Sequence, residues 1–415
     1  MELARCRSPQ TLRQLAIAAL LGALGCDDAA PPAPRDVQLD FCSTSVPVFL
    51  AVSNDGEPWT SVAADADGTF SFSAAHKVGV VYVEQSGASY TTTFLYVTSD
   101  ELAALGRTPC VESLGTRTVT GSVAGLASGE VAQVALGADR AIVFAPNTGF
   151  TFHEAPAVAA DLFALRVRTT PNEPPVAIIA RRDVDPADAS IATLNLAGGE
   201  TFAPSLHTLN IANLIAGERN RIDVFFSTST VTPFPLHSIA AFTSADQSIG
   251  LIPESVTRAG DLHTVDVSAR TADGSAYRGN RQFFRIASDR TAELGAPLAT
   301  PAVTQLGVAP RVRISVDRQP TYASLLNVRL DQHSPALHRI VLVVTSGYAG
   351  ATGSWEVDTP DFATIGGIPA GAGFVGGTDV TWTVEAVDGP AAAVLGAPVD
   401  GARLRYAGAT GTLSL

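Results

Sequence analysis

Apolar and polar residues alternate in short runs along most of this chain. Thr69-Phe70-Ser71-Phe72-Ser73 has a strict period of two. Ile222, Val224 and Phe226 alternate with Arg221, Asp223 and Phe225, and Val265 and Val267 oppose Thr264, Asp266, Ser268 and Arg270. Val312, Ile314 and Val316 oppose Arg311, Arg313, Ser315 and Asp317, and Val380, Trp382 and Val384 form one more such face. Successive strand residues point to opposite faces, so these segments predict antiparallel sheets with one face in a core and one in water. Val48 to Val52, Val78 to Val83 and Thr92 to Val97 are apolar, β-branched runs that predict further strands. One short helix is predicted where Thr98-Ser99-Asp100-Glu101 has capping-box spacing ahead of Leu102-Ala-Ala-Leu105 and Gly106. No long amphipathic helix follows Cys26, which argues against α/β enzyme folds. The expected fold class is all-β, a tandem row of antiparallel β-sandwiches.

The same pattern divides the chain. Residues 41–112 predict a first β-sandwich, closed by the short helix. Residues 117–204 predict a second: Ala132, Val134 and Leu136 alternate, as do Phe150 and Phe152, and Phe163, Leu165 and Val167, with Arg166 and Arg168 on the opposite face. The proline- and glycine-rich stretch from Gly295 to Pro301 separates a third unit, 205–300, from a fourth, 301–415; one large sandwich over 205–415 is the alternative. Within the second unit, Thr118-Val-Thr-Gly-Ser-Val-Ala-Gly-Leu126 resembles the opening of carboxypeptidase-regulatory-like, transthyretin-like modules. That resemblance implies a seven-stranded sandwich of immunoglobulin type without an activity of its own.

The N-terminus changes the picture from fold to location. Arg5, Arg7 and Arg13 precede a ten-residue apolar run, Leu15 to Leu24. A membrane-spanning helix needs about 20 such residues, so the run reads as a secretory signal over 1–25. It ends Ala23-Leu24-Gly25-Cys26, which resembles a bacterial lipobox, usually Leu-Ala-Gly-Cys, departing from it at Ala23 and Leu24. The resemblance implies cleavage before Cys26 and lipid on its sulfur; an ordinary signal peptide with an incidental Cys26 is the alternative. Residues 26–40 begin Cys-Asp-Asp and continue Ala-Ala-Pro-Pro-Ala-Pro, an extended tether. Gly25-Cys26-Asp27-Asp28 followed by tandem β-modules resembles the surface lipoproteins of myxobacteria and related GC-rich bacteria. The implied location is the cell envelope, lipid-anchored at the periplasmic or outer-membrane surface.

Composition narrows the partners. The 415 residues are 46% hydrophobic and 16% charged, which excludes bulk disorder. Net charge is −13, and about −15 once Arg5, Arg7, Arg13 and Glu2 leave with residues 1–25, so nucleic acid is not an expected partner. Contact with the membrane is expected through the N-terminal lipid alone, and an envelope protein or polysaccharide is the expected ligand. With Cys6 in the signal and Cys26 lipidated, Cys42 and Cys110 remain as an even pair in an oxidising compartment, and a bridge between them is expected. Closing a loop of about 70 residues contributes roughly 4 kcal/mol at most.

Catalytic signatures are missing from the sequence. There is no Gly-x-Ser-x-Gly, no His-Glu-x-x-His and no glycine-rich phosphate loop, and no cofactor or metal site is expected. The seven histidines are scattered; His333 and His338 are the nearest pair, and five-residue spacing puts them on opposite faces of one strand. Asp65-Ala66-Asp67-Gly68 lacks the anchoring carboxylates of a calcium loop and reads as a hairpin turn, and Asp183, Asp185 and Asp188 around Pro186 read as an acidic turn. Trp355 and Trp382 are expected in cores, which leaves Trp59 as the candidate exposed platform for a sugar ring. Arg278, Arg281, Arg285 and Arg290 are expected along a solvated edge. The expected function is a non-catalytic spacer or interaction module. A polysaccharide-binding lipoprotein is the second reading, and a hydrolase assembled from distant loops the third.

Overall fold

A computed structural model describes residues 34–41, 46–66, 68–105, 116–307, 310–334, 336–350 and 352–415. The fold is all-β. Residues 35–105 supply β1 (Arg35–Leu39), β2 (Phe49–Asn54), β3 (Thr60–Ser61), β4 (Phe70–Ala74), β5 (Lys77–Ser86), β6 (Ser89–Thr98) and the helix α1 (Ser99–Leu105). Residues 116–195 supply β7 (Thr116–Ala124), β8 (Glu130–Leu136), β9 (Asp139–Phe144), β10 (Gly149–Pro156), β11 (Ala160–Arg168), β12 (Ala177–Val184) and β13 (Leu194–Asn195). Residues 205–293 supply β14 (Ser205–Ala212), β15 (Arg219–Ser227), β16 (Phe234–Ala240), β17 (Asp246–Leu251), β18 (Leu262–Arg270), β19 (Ala276–Phe284) and β20 (Arg290–Glu293). Residues 302–414 supply β21 (Ala302–Leu306), β22 (Arg311–Asp317), β23 (Leu325–Gln332), β24 (His338–Thr345), β25 (Ser354–Asp358), β26 (Asp379–Asp388) and β27 (Arg403–Ser414), with the short helices α2 (Ser346–Ala349) and α3 (Ala391–Val394).

One order of connection recurs in all four stretches. Each forms a four-stranded sheet, β3-β2-β5-β6, β9-β8-β11-β12, β16-β15-β18-β19 and β24-β23-β26-β27, always the third, second, fifth and sixth strand when the fourth repeat is counted from β22. Each also forms a smaller sheet around its first and fourth strands: β4-β1, β10-β7-β13, β17-β14-β20 and β25-β22-β21. In the second and third repeats a seventh strand lies parallel to the first. In the fourth that place is taken from the other end of the repeat by β21, which pairs antiparallel with β22.

Three of the four-stranded sheets are joined edge to edge. β19 pairs antiparallel with β27, and β24 pairs parallel with β6, so twelve strands form one continuous sheet. An open sheet edge carries a row of unpaired backbone N–H and C=O groups, and these two ladders satisfy that row within the chain. The second repeat stands outside the long sheet and packs face on. Ala132, Val134, Leu136, Leu162 and Ala164 face its own small sheet, while Val131, Ala135, Phe163, Leu165 and Val167 join the core of the third repeat. The face of β11 expected in water beside Arg166 is therefore dry at Leu162 and Ala164, because the sheet is covered on both sides there, and opens to solvent only towards Arg168.

Local signals were realised closely in α1. Thr98 N–H donates to Glu101 Oε2 at 2.8 Å and Glu101 N–H to Thr98 Oγ1 at 3.3 Å, which closes the capping box. Two of the four arginines expected along a solvated edge lie elsewhere, while the Arg281 side chain is 43% exposed. Arg278 is 2% exposed and held by Glu218, Gly295 O and Asn213 O, while Arg290 lies 3.9 Å from the Phe284 ring. They face inward because they bind the carbonyls and ring faces of segments that approach only in the folded chain.

Arg182 ties the second repeat to the third. Its guanidinium donates to Asp161 at 2.8 Å, Asp261 at 2.6 Å and Val256 O at 2.8 Å, and it covers the Phe163 ring at 5.0 Å. Burial alone would raise the Asp161 pKa, but the hydrogen bonds from Arg182 hold it below the usual carboxylate range. Arg182→Met leaves two buried carboxylates uncompensated, and a loss of about 3–5 kcal/mol is expected in denaturant unfolding at neutral pH.

His263, fully buried, lies between Phe226 and Phe284 and accepts the Ile252 N–H at Nε2. Burial lowers its pKa to about 4, so the fold favours the neutral ring. The unfolded chain takes up a proton near pH 6.5, so this stability is complete above that value and is lost as pH falls towards 4. The unfolding midpoint should fall over that window. His263→Leu should be less stable at pH 7 and show a shallower pH dependence, by on the order of 3 kcal/mol.

Candidate binding cleft

Gly279 and Gly408 occupy facing strands at the β19–β27 seam, and each lies beneath a tyrosine of the other strand. A Cβ on Gly408 would stand 2.4 Å from Tyr277 Cζ, and one on Gly279 would stand 2.2 Å from Tyr406 Cζ. The two rings thus cross the opposing glycines in opposite directions, with their planes tilted 58° to each other. Tyr277 crosses β27 and donates its hydroxyl to Glu385 on β26 at 2.9 Å. Tyr406 crosses β19 and donates to Asp266 on β18 at 2.7 Å, where Arg281 also binds Asp266 at 2.6 Å and covers the Tyr406 ring.

These side chains floor a cavity of about 830 Å³ on one face of the long sheet. Cross-strand register sets Arg270, Tyr277, Gly408, Glu385, Asn327, Val343 and Leu95 side by side on consecutive strands, so the floor passes from polar to apolar across the third, fourth and first repeats. Leu39, Phe41 and Tyr82 wall one end, and Val394 at the end of α3 with the following Leu395 and Gly396 wall a side. Burial raises the Glu385 pKa, against the opposing influence of the Tyr277 hydrogen bond and of Arg281. Both tyrosine hydroxyls are raised as well, first by burial and then by the carboxylates they serve. The polar floor is largely self-satisfied. Two groups are left over: Asn327 Oδ1 is buried without a partner, and Arg270, stacked 5.2 Å over Tyr277, has no carboxylate partner among the described residues.

The candidate residues singled out from sequence lie away from this cleft. Cys26, Cys42 and Cys110, with the expected lipid and bridge, lie outside the described residues. Trp59 is half-buried, edge-on to Phe94 at 6.0 Å and packed against Gly79, so only part of its ring faces water. Trp355 is 1% exposed, as expected of a core residue, and Trp382 is half-buried across Gly411. His333 and His338 do not share a strand. His333 is exposed in the β23–β24 turn, while His338 is buried beside Gly371 O at 2.8 Å, because a hairpin separates them. Asp183 pairs with Arg258 and Asp185 caps Ala187, and the described residues contain no metal-holding cluster.

A second arrangement escaped sequence reading. Ser205 Oγ lies 2.8 Å from His207 Nε2, and His207 Nδ1 lies 3.4 Å from Asp289 Oδ1. The i, i+2 spacing on β14 puts Ser205 and His207 on one face, and the parallel strand β20 delivers Asp289. Thr208 N–H and His207 hold the Asp289 carboxyl below its usual range. The order resembles a nucleophile, base and orienting acid, but Asp289 is three-quarters exposed and the group lies on an open sheet surface, where water screens the charges such chemistry needs.

The tyrosine–glycine crossings are open to test. Gly408→Ala should displace the Tyr277 ring and lower stability by about 1–3 kcal/mol. In a Tyr277→Ser background the same change should cost much less, a coupling that a double-mutant thermal unfolding cycle reads directly. Set against known proteins, the chain matches no family model and no curated sequence.

Proposed function

We propose that the chain is a lipid-anchored, non-catalytic protein of the cell envelope, attached through Cys26, in which four immunoglobulin-like β-sandwich repeats carry an interaction surface. The observation that carries this reading is the cleft itself: its floor is drawn from three repeats, and its two carboxylates, Glu385 and Asp266, are each taken up by a tyrosine hydroxyl, with Arg281 also on Asp266. Twelve strands at about 4.8 Å spacing extend the sheet over roughly 50 Å, a suitable reach for a spacer that presents such a surface. Binding in the cleft replaces Trp59 as the preferred site, since that ring is committed to packing on Phe94 and Gly79. In cells fed labelled palmitate, wild type should take up label and Cys26→Ala should not. An unlabelled wild type would overturn the anchor, and turnover of ester, peptide or glycoside substrates abolished by a single substitution would overturn the non-catalytic assignment.

The Ser205–His207–Asp289 geometry favours one other reading, a weak hydrolase. Covalent capture of a fluorophosphonate probe by wild type but not by Ser205→Ala would favour it. Equal, background labelling of both is the outcome expected here.

A further inference from the structure

We propose that the cleft binds a single-chain amphiphile: an apolar chain carrying a short head that donates hydrogen bonds and ends in an anion. This deepens the interaction-surface reading and rests on it for the cleft being the site of recognition. The floor changes character along one row of side chains. Arg270, Tyr277, Glu385 and Asn327 are polar, whereas Val343 and Leu95 on the next two strands are apolar and are continued by Val341, Tyr82 and Phe41. From Arg270 to Leu95 is six strand spacings, about 29 Å, of which the last two, from Asn327 to Leu95, about 10 Å, form the apolar end, and one further spacing reaches Tyr82 on β5. A cavity of about 830 Å³ is within the usual range for a small-molecule site.

A buried acceptor without a donor and an exposed cation without a carboxylate among the described residues name the head. Tyr277 and Tyr406 spend their hydroxyls on Glu385 and Asp266, and Arg281 is paired, so none of these three supplies the missing partner. Asn327 Oδ1 is a buried acceptor without a donor, which calls for an N–H or O–H from the ligand. Arg270 is an exposed cation whose only described side-chain contact is an aromatic face, at the far polar end of the row, where it is free to pair with an anion. Together they match an amide followed by a terminal carboxylate at the end of an acyl chain. A plain sugar would leave the apolar half of the floor wet, and a plain hydrocarbon would leave Asn327 and Arg270 unanswered.

Calorimetric titration of the full-length chain with N-acyl-glycylglycines of increasing chain length tests the assignment. Affinity should rise roughly fourfold per added methylene until the chain outgrows the apolar floor. The methyl ester of the N-lauroyl compound should bind wild type about tenfold or more weakly than the free acid. Arg270→Gln should bind acid and ester alike, and Val343→Glu should lose both while keeping the wild-type melting temperature within a few degrees. Independence of chain length, or an acid preference that survives Arg270→Gln, would overturn the proposal. So would oligosaccharide binding in place of the acyl compounds, or binding to phosphatidylglycerol vesicles without binding to the monomeric probe. Such results would leave the palmitate anchor and the absence of turnover untouched, whereas failure of the anchor would not alter titrations of the purified chain.

Discussion

Backbone pairing between repeats is the constraint on which the rest of this molecule depends. A four-stranded sheet leaves two edges whose amides and carbonyls demand partners, and here three such sheets answer one another. The β19–β27 ladder joins the third and fourth repeats, and the β24–β6 ladder brings the first repeat back beside the fourth although some 240 residues separate them. The parallel sense of the second ladder has a packing consequence. The small sheet of the first repeat lies on the cleft side of the long sheet, whereas the core that includes β22 and β25 lies on the other. That inversion brings Leu39 and Phe41 over the floor and turns an open sheet face into a cavity.

Side chains at the seam reinforce the ladder. Each tyrosine needs a glycine opposite it, and each finds its carboxylate one strand beyond the seam. The fourfold requirement of two rings and two bare Cα positions makes the seam specific as well as cohesive, because a slip of one residue would set the rings against Arg278 and Ala407, which point into the core side of the sheet. The same residues give the cleft its polar floor, so the device that joins two repeats also shapes the surface proposed for recognition.

Buried ionic groups follow a related logic at the junctions. Arg182 crosses from the second repeat to the third, and Arg278 fastens the segments around Asn213 and Gly295 beside the β19–β27 seam. Each is surrounded by carboxylate and carbonyl oxygens that take up its terminal nitrogens despite burial, while Arg182 Nε is left without a partner. Such pairs contribute little over an apolar contact of the same volume, but removing one partner is costly, so they fix the relative placement of repeats more than they add to stability.

How much of this could be read from residues in order is clearest element by element. The period-two runs at 222–226, 265–267 and 312–316 appear as β15, β18 and β22, and the Thr98–Glu101 box caps α1, because strand alternation and helix capping are set by neighbours within a few residues. The all-β class follows from the same local signals. The cleft was not legible. Tyr277, Glu385, Asn327 and Leu95 lie in segments far apart in the chain, each reading alone as an unremarkable outward position, and only strand register makes them a row. The burial of Arg278 and the double covering of β11 were hidden for the same reason: alternation tells which residues share a face, while what lies against that face is decided by long-range sheet pairing, whose energy comes from contacts that exist only once the repeats have met.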